Sequence, residues 1–206
     1  MCQVGRYPIT QWQMSRVAPG RWVNEVFINA FLHLVSSRNV AAPTQPSVVA
    51  FSTYFWAELM TRGIAKVCRY TNKLARKLGG DIFDRDLLLV PINANQNSHW
   101  LLAVVHIKAH LVEVYNSIRD GLDESRGNDV LQYLDAEWEL RRPRSAPLGA
   151  SKRRGDWKIQ VVNSPQQKDT CADCLCQAPK TAVPILLPTF EVAEELAACC
   201  VVDRLH

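Results

Sequence analysis

Residues 99–116 read HWLLAVVHIKAHLVEVYN, and this stretch decides the fold. Two apolar runs, Trp100–Ile107 and Leu111–Tyr115, are separated only by the short segment Lys108-Ala109-His110. Apolar runs of this length joined by a short turn predict a hairpin of buried strands. We therefore expect His99 and Asn116, at the open end of the hairpin, to lie on adjacent strands where cross-strand neighbours meet.

His99 and Asn116 belong to a set of residues that fits cysteine-dependent acyl transfer. A thiol nucleophile needs a base, the base needs a group that orients its ring, and the attacked carbonyl oxygen needs a hydrogen-bond donor. His99 is the candidate base, Asn116 the orienting group, Cys174 the nucleophile and Gln167 the oxyanion donor. Peptide or isopeptide hydrolysis is the simplest reaction that uses these four parts.

The composition is that of a globular protein with one sizeable core. The chain has 206 residues, of which 48% are hydrophobic and 21% are charged, so one domain over residues 1–206 is expected. The net charge of +4 is too small to indicate a nucleic-acid partner. The longest apolar runs are too short to cross a bilayer, so no membrane partner is expected.

Seven cysteines are present, an odd number, and three of them lie in the segment Cys171-Ala172-Asp173-Cys174-Leu175-Cys176. The N-terminal residues lack the pattern of a signal peptide, which favours a reducing intracellular compartment with the cysteines as thiols. A zinc site in this cluster is a weaker alternative, because the remaining pair, Cys199-Cys200, is adjacent and chelates poorly. No metal or organic cofactor is predicted.

The rest of the chain predicts further helices and strands around the hairpin. Apolar residues recur at helical spacing from Trp22 to Leu34, and two more helices are expected at Phe55–Met60 and Gly63–Leu78. Strands are expected at Leu87–Ile92 and Trp157–Val162, and a helix at Asn128–Leu140. Residues 1–20 carry few periodic signals.

Several blocks of this sequence, in this order, resemble the ubiquitin-like-specific proteases, which are SUMO (sentrin) deconjugating cysteine proteases. The blocks cover about residues 20–177, with a divergent C-terminal part after them, and are specific only in combination. They are WVNEVFIN at 22–29, VAFSTYF at 49–55, DIF at 81–83, DLLLVPI at 86–92, HWLLAVV at 99–105, VYNS at 114–117, PQQ at 165–167 and DC at 173–174.

The resemblance implies an α+β papain-like fold, in which helices flank a central antiparallel sheet that carries His99 and Asn116. It places Cys174 at the N-terminus of a helix, where aligned amide dipoles stabilise a thiolate. It also implies that Trp22, Glu25 and Trp100 bind the substrate. A channel walled by a flat indole admits only residues without side chains, which explains selectivity for Gly-Gly.

This chain departs from the family pattern at the site. Asn116 stands where the family has Asp, so this residue orients the imidazole without stabilising its charged form, and Asn116→Asp is expected to raise turnover. Leu175 replaces the glycine that follows the nucleophile. Gln167 precedes Cys174 by seven positions, one more than is usual in the family, and Cys171 is a rival nucleophile that lacks the preceding Asp.

The resemblance therefore predicts a thiol isopeptidase that cleaves after the C-terminal Gly-Gly of a SUMO-like modifier, in maturation and in deconjugation from lysine. The alternatives are a catalytically impaired paralogue that binds the modifier, and a protease for another ubiquitin-like modifier. The expected partners are the modifier and its lysine-linked conjugates, and the protein is expected to be a monomer. The family implies the nucleus or nuclear envelope as the location, with the cytoplasm as the alternative.

Overall fold

The computed structural model describes residues 2–16, 23–41, 46–78, 80–94, 99–118, 121, 123–141 and 156–163. The described helices are α1 (Gln11–Ser15), α2 (Glu25–Ala41), α3 (Thr53–Arg62), α4 (Ile64–Leu78) and α5 (Asp123–Arg141). The described strands are β1 (Cys2–Val4), β2 (Tyr7–Ile9), β3 (Val48–Ala50), β4 (Leu87–Ala94), β5 (His99–His106), β6 (Leu111–Tyr115) and β7 (Lys158–Val162).

The main sheet has the strand order β3-β4-β5-β6-β7. Its central strands β4, β5 and β6 pair antiparallel, as the sequence predicted for the hairpin. The outer strands β3 and β7 pair parallel to their neighbours, so the sheet is mixed. The predicted α+β fold with flanking helices is confirmed, and the antiparallel pairing holds for the central part of the sheet.

The sheet separates two apolar cores, because successive side chains of a strand point to opposite faces. On β5, Trp100, Leu102 and Val104 pack with α2 and the β1–β2 hairpin. The intervening Leu101, Ala103 and Val105 pack with residues of α3, α4 and α5. Both faces of β5 are therefore covered, which explains why its sequence is almost continuously apolar.

Two of the sequence blocks meet in the fold through α2 and α3. The Asn24 side chain accepts a hydrogen bond from the Phe27 N–H at 3.0 Å and thereby caps α2. Farther along α2, the buried Asn29 amide accepts from the Thr53 N–H at 2.9 Å and donates to the Thr53 hydroxyl at 2.8 Å. The amide thus satisfies an N–H at the start of α3 that has no partner within the helix.

The N-terminal residues form elements that the sequence did not predict. The β1–β2 hairpin turns at Gly5, which has a positive φ of 57°, and α1 follows it. The strands are only three residues long, which is too short for a period-two pattern to stand out. Cys2, Val4 and Ile9 are nevertheless buried against α2.

Helix α5 lies against β6 and β7, and Gly127 allows its close approach. A Cβ at Gly127 would lie 2.7 Å from Cγ2 of Ile159 on β7. The helix begins at Asp123, five residues before the predicted start at Asn128. The close contact at Gly127 therefore sets how near α5 lies to β7.

We predict that Gly127→Ala destabilises the protein, because the methyl group overpacks the contact with Ile159 at a cost of about 1–3 kcal/mol. This loss outweighs the gain of about 1 kcal/mol that alanine normally brings to a helix interior. The unfolding free energy from urea denaturation measures the effect. In an Ile159→Ala background the added methyl group has room, so Gly127→Ala should be neutral or stabilising there. Stabilisation by Gly127→Ala in the wild-type background would contradict the prediction.

Asp86 connects the starts of β3 and β4 to the β5–β6 turn. Its Oδ2 accepts from the Ser47 N–H at 2.8 Å and from the Ser47 hydroxyl at 2.9 Å. Its Oδ1 pairs with the Lys108 ammonium group. Lys108 and the two Ser47 donors lower the pKa of Asp86 to about 2.

We predict that Asp86→Ala lowers the unfolding free energy at pH 7 by about 2 kcal/mol, the scale of hydrogen bonds to a charged group. The folded-state pKa lies below the unfolded value of about 3.9, so this contribution is complete above pH 4 and is lost as the pH falls through about 2. The difference between wild type and variant should therefore shrink between pH 4 and pH 2. Lys108 is 82% exposed, so Lys108→Ala should cost less than about 1 kcal/mol. A difference that does not change with pH would contradict this assignment.

Candidate active site

The backbone register brings His99 and Asn116 together. His99 is the first residue of β5 and pairs with Ala94 of β4, while Asn116 directly follows β6. Leu102 faces Tyr115, so the same register continued by one step sets Asn116 opposite Leu101. His99 is then the diagonal neighbour of Asn116 on the same face of the sheet, within reach of a side-chain contact.

The two side chains form a short hydrogen bond in a buried position. His99 Nε2 lies 2.6 Å from Asn116 Oδ1. His99 is 1% exposed and Asn116 is 4% exposed. Because burial excludes competing water, a hydrogen bond here holds the ring more firmly than the same contact at the surface. The sequence prediction that Asn116 lies beside His99 agrees with this geometry, and their roles in catalysis stay a prediction.

The surroundings of Asn116 determine which way its amide points. Oδ1 also accepts from the Ile118 N–H at 2.9 Å, and Nδ2 donates to Oδ1 of Asp123 at 2.6 Å. A flipped amide would set its NH₂ against the Ile118 N–H and its oxygen against the Asp123 carboxylate. Asn116 therefore presents an acceptor to His99, so the ring must carry its proton on Nε2. In the neutral ring, Nδ1 is then the basic nitrogen.

Asp123 is the residue of this site that the sequence analysis missed. It is the first residue of α5 and its carboxylate contacts Asn116. An acidic residue at the start of a helix usually interacts with the helix dipole. The presence of an acidic residue at this position therefore does not by itself indicate a functional site. The sequence did offer one signal. Asp123 and Glu124 precede the predicted start at Asn128, and acidic residues are typical of the first turn of a helix.

Of the three predicted substrate-binding residues, the structure describes one that is buried and one that is exposed. Trp100 is buried in the apolar core on the α2 side of the sheet. Glu25 is exposed in the first turn of α2. Trp22 lies outside the described residues. All three assignments stay predictions.

The predicted nucleophile and oxyanion donor also lie outside the described residues. This applies to Gln167, Cys171, Cys174 and Leu175, and to the alternative zinc cluster that ends at Cys176. Within the described ranges, no group of three or more His, Cys, Asp or Glu side chains is arranged to hold a metal ion. The described helices likewise include none that is long and apolar enough to cross a membrane.

The cysteines that the structure describes are poor candidates for a nucleophile. Cys2 and Cys68 are buried and are not in disulfides. Burial, together with a hydrogen bond to Glu137, raises the pKa of Cys68 to about 12. A thiol with so high a pKa holds its proton at neutral pH and does not react as a thiolate.

Comparison with known proteins identifies a family for most of the chain. Residues 21–180 match the model of the Ulp1 protease family, C-terminal catalytic domain. A sentrin-specific protease of Caenorhabditis elegans is 31% identical over 157 residues, which are 74% of this chain and 20% of that protein. Ubiquitin-like-specific protease 1 of Saccharomyces cerevisiae is 30% identical over 113 residues, 55% of this chain and 16% of that protein. The chain thus spans a fifth or less of the length of these two relatives.

Solved structures share the fold at lower identity. SUMO protease Ulp1 with its catalytic cysteine oxidized to a sulfonic acid has a TM-score of 0.63 and 22% identity, covering 95% of this chain and 78% of that chain. The Ulp1 protease domain in complex with Smt3, the yeast ortholog of SUMO, has a TM-score of 0.61 and 22% identity, covering 91% and 72%. Since the family match extends over well more than half of the sequence, the chain belongs to the Ulp1 protease family, within the catalytic domain of that family.

Proposed function

We propose that this protein is a cysteine-type isopeptidase that cleaves after the C-terminal Gly-Gly of a SUMO-like modifier. The observation that carries the proposal is the 2.6 Å contact between His99 Nε2 and Asn116 Oδ1, in a chain of the Ulp1 protease family. This contact leaves Nδ1 as the basic nitrogen of the neutral ring. A ring held in that tautomer is what a general base for a thiol requires.

In the proposed reaction, Cys174 supplies the nucleophile and His99 moves the proton. Nδ1 of His99 takes the proton of the Cys174 thiol, and the thiolate attacks the carbonyl carbon of the terminal glycine. Gln167 donates a hydrogen bond to the oxyanion of the tetrahedral intermediate. When the intermediate collapses, the C–N bond breaks and Nδ1 returns the proton to the leaving lysine amine. A thioester remains on Cys174.

Hydrolysis of the thioester completes the cycle with the same groups. His99 removes a proton from water, which attacks the thioester carbonyl, and the proton then passes to the departing Cys174 sulfur. The products are the modifier with a C-terminal carboxylate, one proton released to solvent, and the restored thiol. No step needs a metal ion or organic cofactor.

Substrate class and location are part of the same proposal. In this proposal Trp22 and Trp100 bind the Gly-Gly segment, and Glu25, in the first turn of α2, contacts the modifier. Support for a SUMO-like modifier comes from the names of the relatives and from the solved complex of Ulp1 with Smt3. Residues 1–206 act as one catalytic domain and as a monomer, in the nucleus or at the nuclear envelope, with the cytoplasm as the alternative.

We predict that Cys174 forms the covalent adduct with a SUMO that carries a C-terminal electrophile. Cys174→Ala should abolish the adduct seen by intact-protein mass spectrometry, whereas Cys171→Ala should leave it. Because Cys2 and Cys68 are buried, they should not compete for the probe. His99→Ala should slow adduct formation by about 10²–10⁴-fold, the usual contribution of a general base. An adduct on Cys171 would contradict the assignment of the nucleophile.

A modifier-binding paralogue with impaired catalysis is the second candidate, and Leu175 is the observation that favours it. In this alternative the leucine after the nucleophile obstructs the approach of the substrate carbonyl, while the surface that binds the modifier is kept. A protease for another ubiquitin-like modifier is the remaining alternative, and probes built on other modifiers distinguish it.

We predict that Leu175→Gly increases hydrolysis of a SUMO fusion while the dissociation constant for SUMO stays within about twofold. The smaller residue removes bulk near the scissile bond and allows a tighter turn. Turnover assays and isothermal titration calorimetry measure the two effects. Fast cleavage by wild type with no gain in the variant would show that Leu175 does not obstruct the site. Binding without cleavage by both proteins would favour the modifier-binding paralogue.

A further inference from the structure

We propose that Asp123 is a positioning residue, which acts through Asn116 to supply the negative charge that Asn116 itself lacks. This inference rests on the proposed function, because it concerns how His99 is held and charged during proton transfer. The described site contains a line of hydrogen bonds from His99 Nε2 to Asn116 Oδ1, and from Asn116 Nδ2 to Asp123 Oδ1. Both contacts measure 2.6 Å.

The first effect of Asp123 is on orientation. Its carboxylate accepts only from an N–H, so it selects the amide orientation in which Nδ2 faces Asp123 and Oδ1 faces His99. The Ile118 N–H selects the same orientation from the other side. Asn116 is therefore held from two directions with its acceptor toward the ring.

The second effect is electrostatic. A carboxylate that accepts from Nδ2 draws the amide toward the form with more negative charge on oxygen, so the hydrogen bond from His99 strengthens. The full charge of Asp123 also lies within a Debye length of the ring, across a region where His99 and Asn116 are buried. When His99 takes the thiol proton, the imidazolium is stabilised by a charge one residue farther away than in a direct His–Asp pair.

Among the residues that the structure describes, the other charged groups around His99 and Asn116 pair elsewhere or lie far away. On α5, Glu124 is exposed, and Arg126 reaches Asp129 at 3.5 Å and lies over the Trp56 ring. On β5 and β6, His106 pairs with Glu113, which also accepts from Tyr115. His106 is seven residues from His99 along β5, about 23 Å at the rise of a strand. The β4 residues beside His99 are Asn93 and Ala94, which carry no charge.

The test uses the full chain with Asp123→Asn as the variant and Glu124→Gln as the matched control. Both changes remove one carboxylate from the first turn of α5, and both keep the side-chain size, but only Asp123 contacts Asn116. For Asp123→Asn we expect kcat on a SUMO fusion to fall on the order of tenfold, which corresponds to roughly 1.4 kcal/mol, with KM within twofold. For Glu124→Gln we expect both constants to stay within twofold.

A spectroscopic measurement tests the same inference without activity. The NMR signal of the His99 Nε2 proton reports the strength of its hydrogen bond, and a weaker bond moves the signal upfield. We expect an upfield shift in Asp123→Asn and none in Glu124→Gln. The NMR measurement does not depend on hydrolysis of a SUMO fusion. It can therefore contradict the role of Asp123 while the proposed function holds, or support that role in a protein that hydrolyses no SUMO fusion. Equal signals in wild type and Asp123→Asn would overturn the inference.

Replacement of Asn116 provides a further test and changes an expectation from the sequence. With Asp123 in contact, Asn116→Asp alone sets two carboxylates side by side, and such a pair repels or shares one proton. We therefore expect little gain from the single substitution, and about tenfold higher kcat in Asn116→Asp with Asp123→Asn than in Asp123→Asn alone. The single variant Asn116→Asp, compared with wild type, keeps the inference testable if Asp123→Asn unfolds. A clear rise in kcat from Asn116→Asp alone would overturn the inference.

Discussion

The register of the β5–β6 hairpin is the constraint on which the site depends. A slip of one residue between these strands would move His99 to the opposite face of the sheet from Asn116, since side chains alternate between faces. Both faces of β5 are buried, so a slip would also exchange the residues of the two cores. The hairpin turn ends at His110, which has a φ of 53°, and its O accepts from the Lys158 N–H of β7 at 2.8 Å. The turn therefore anchors β7 as well as the register.

Buried polar groups at the open end of the hairpin are stable only as a connected set. His99, Asn116 and Ser117 are all buried, and an unpaired polar group in such a position would cost more than the net gain of one hydrogen bond. Both polar groups of the Asn116 amide are paired, because Oδ1 accepts from His99 and the Ile118 N–H and Nδ2 donates to Asp123. A carboxylate at this position would offer acceptors only, so the amide and Asp123 form a matched pair.

Some of the sequence blocks that carry the family resemblance have a structural explanation. Asn29 of the first block bonds with Thr53 of the second block and holds α2 against α3. Asp81 caps the 3₁₀ turn Ile82–Asp84 by accepting from the Phe83 N–H. Asp86 joins the starts of β3 and β4 through Ser47. These side chains fix the positions of helices and strands around the sheet that carries His99.

The sequence by itself determined the elements whose patterns are long and strongly apolar. Apolar spacing predicts the strands β4, β5 and β6 and the helices α2, α3 and α4. The short turn between β5 and β6 predicts that His99 lies near Asn116. Tertiary structure decided the β1–β2 hairpin, because three-residue strands carry no period of their own. It also decided the parallel pairing of β3 and β7, since the direction of an edge strand depends on long connections. Tertiary structure also decided the contact between Asp123 and Asn116, because this contact depends on how α5 packs against β6, and no spacing in the sequence encodes that packing.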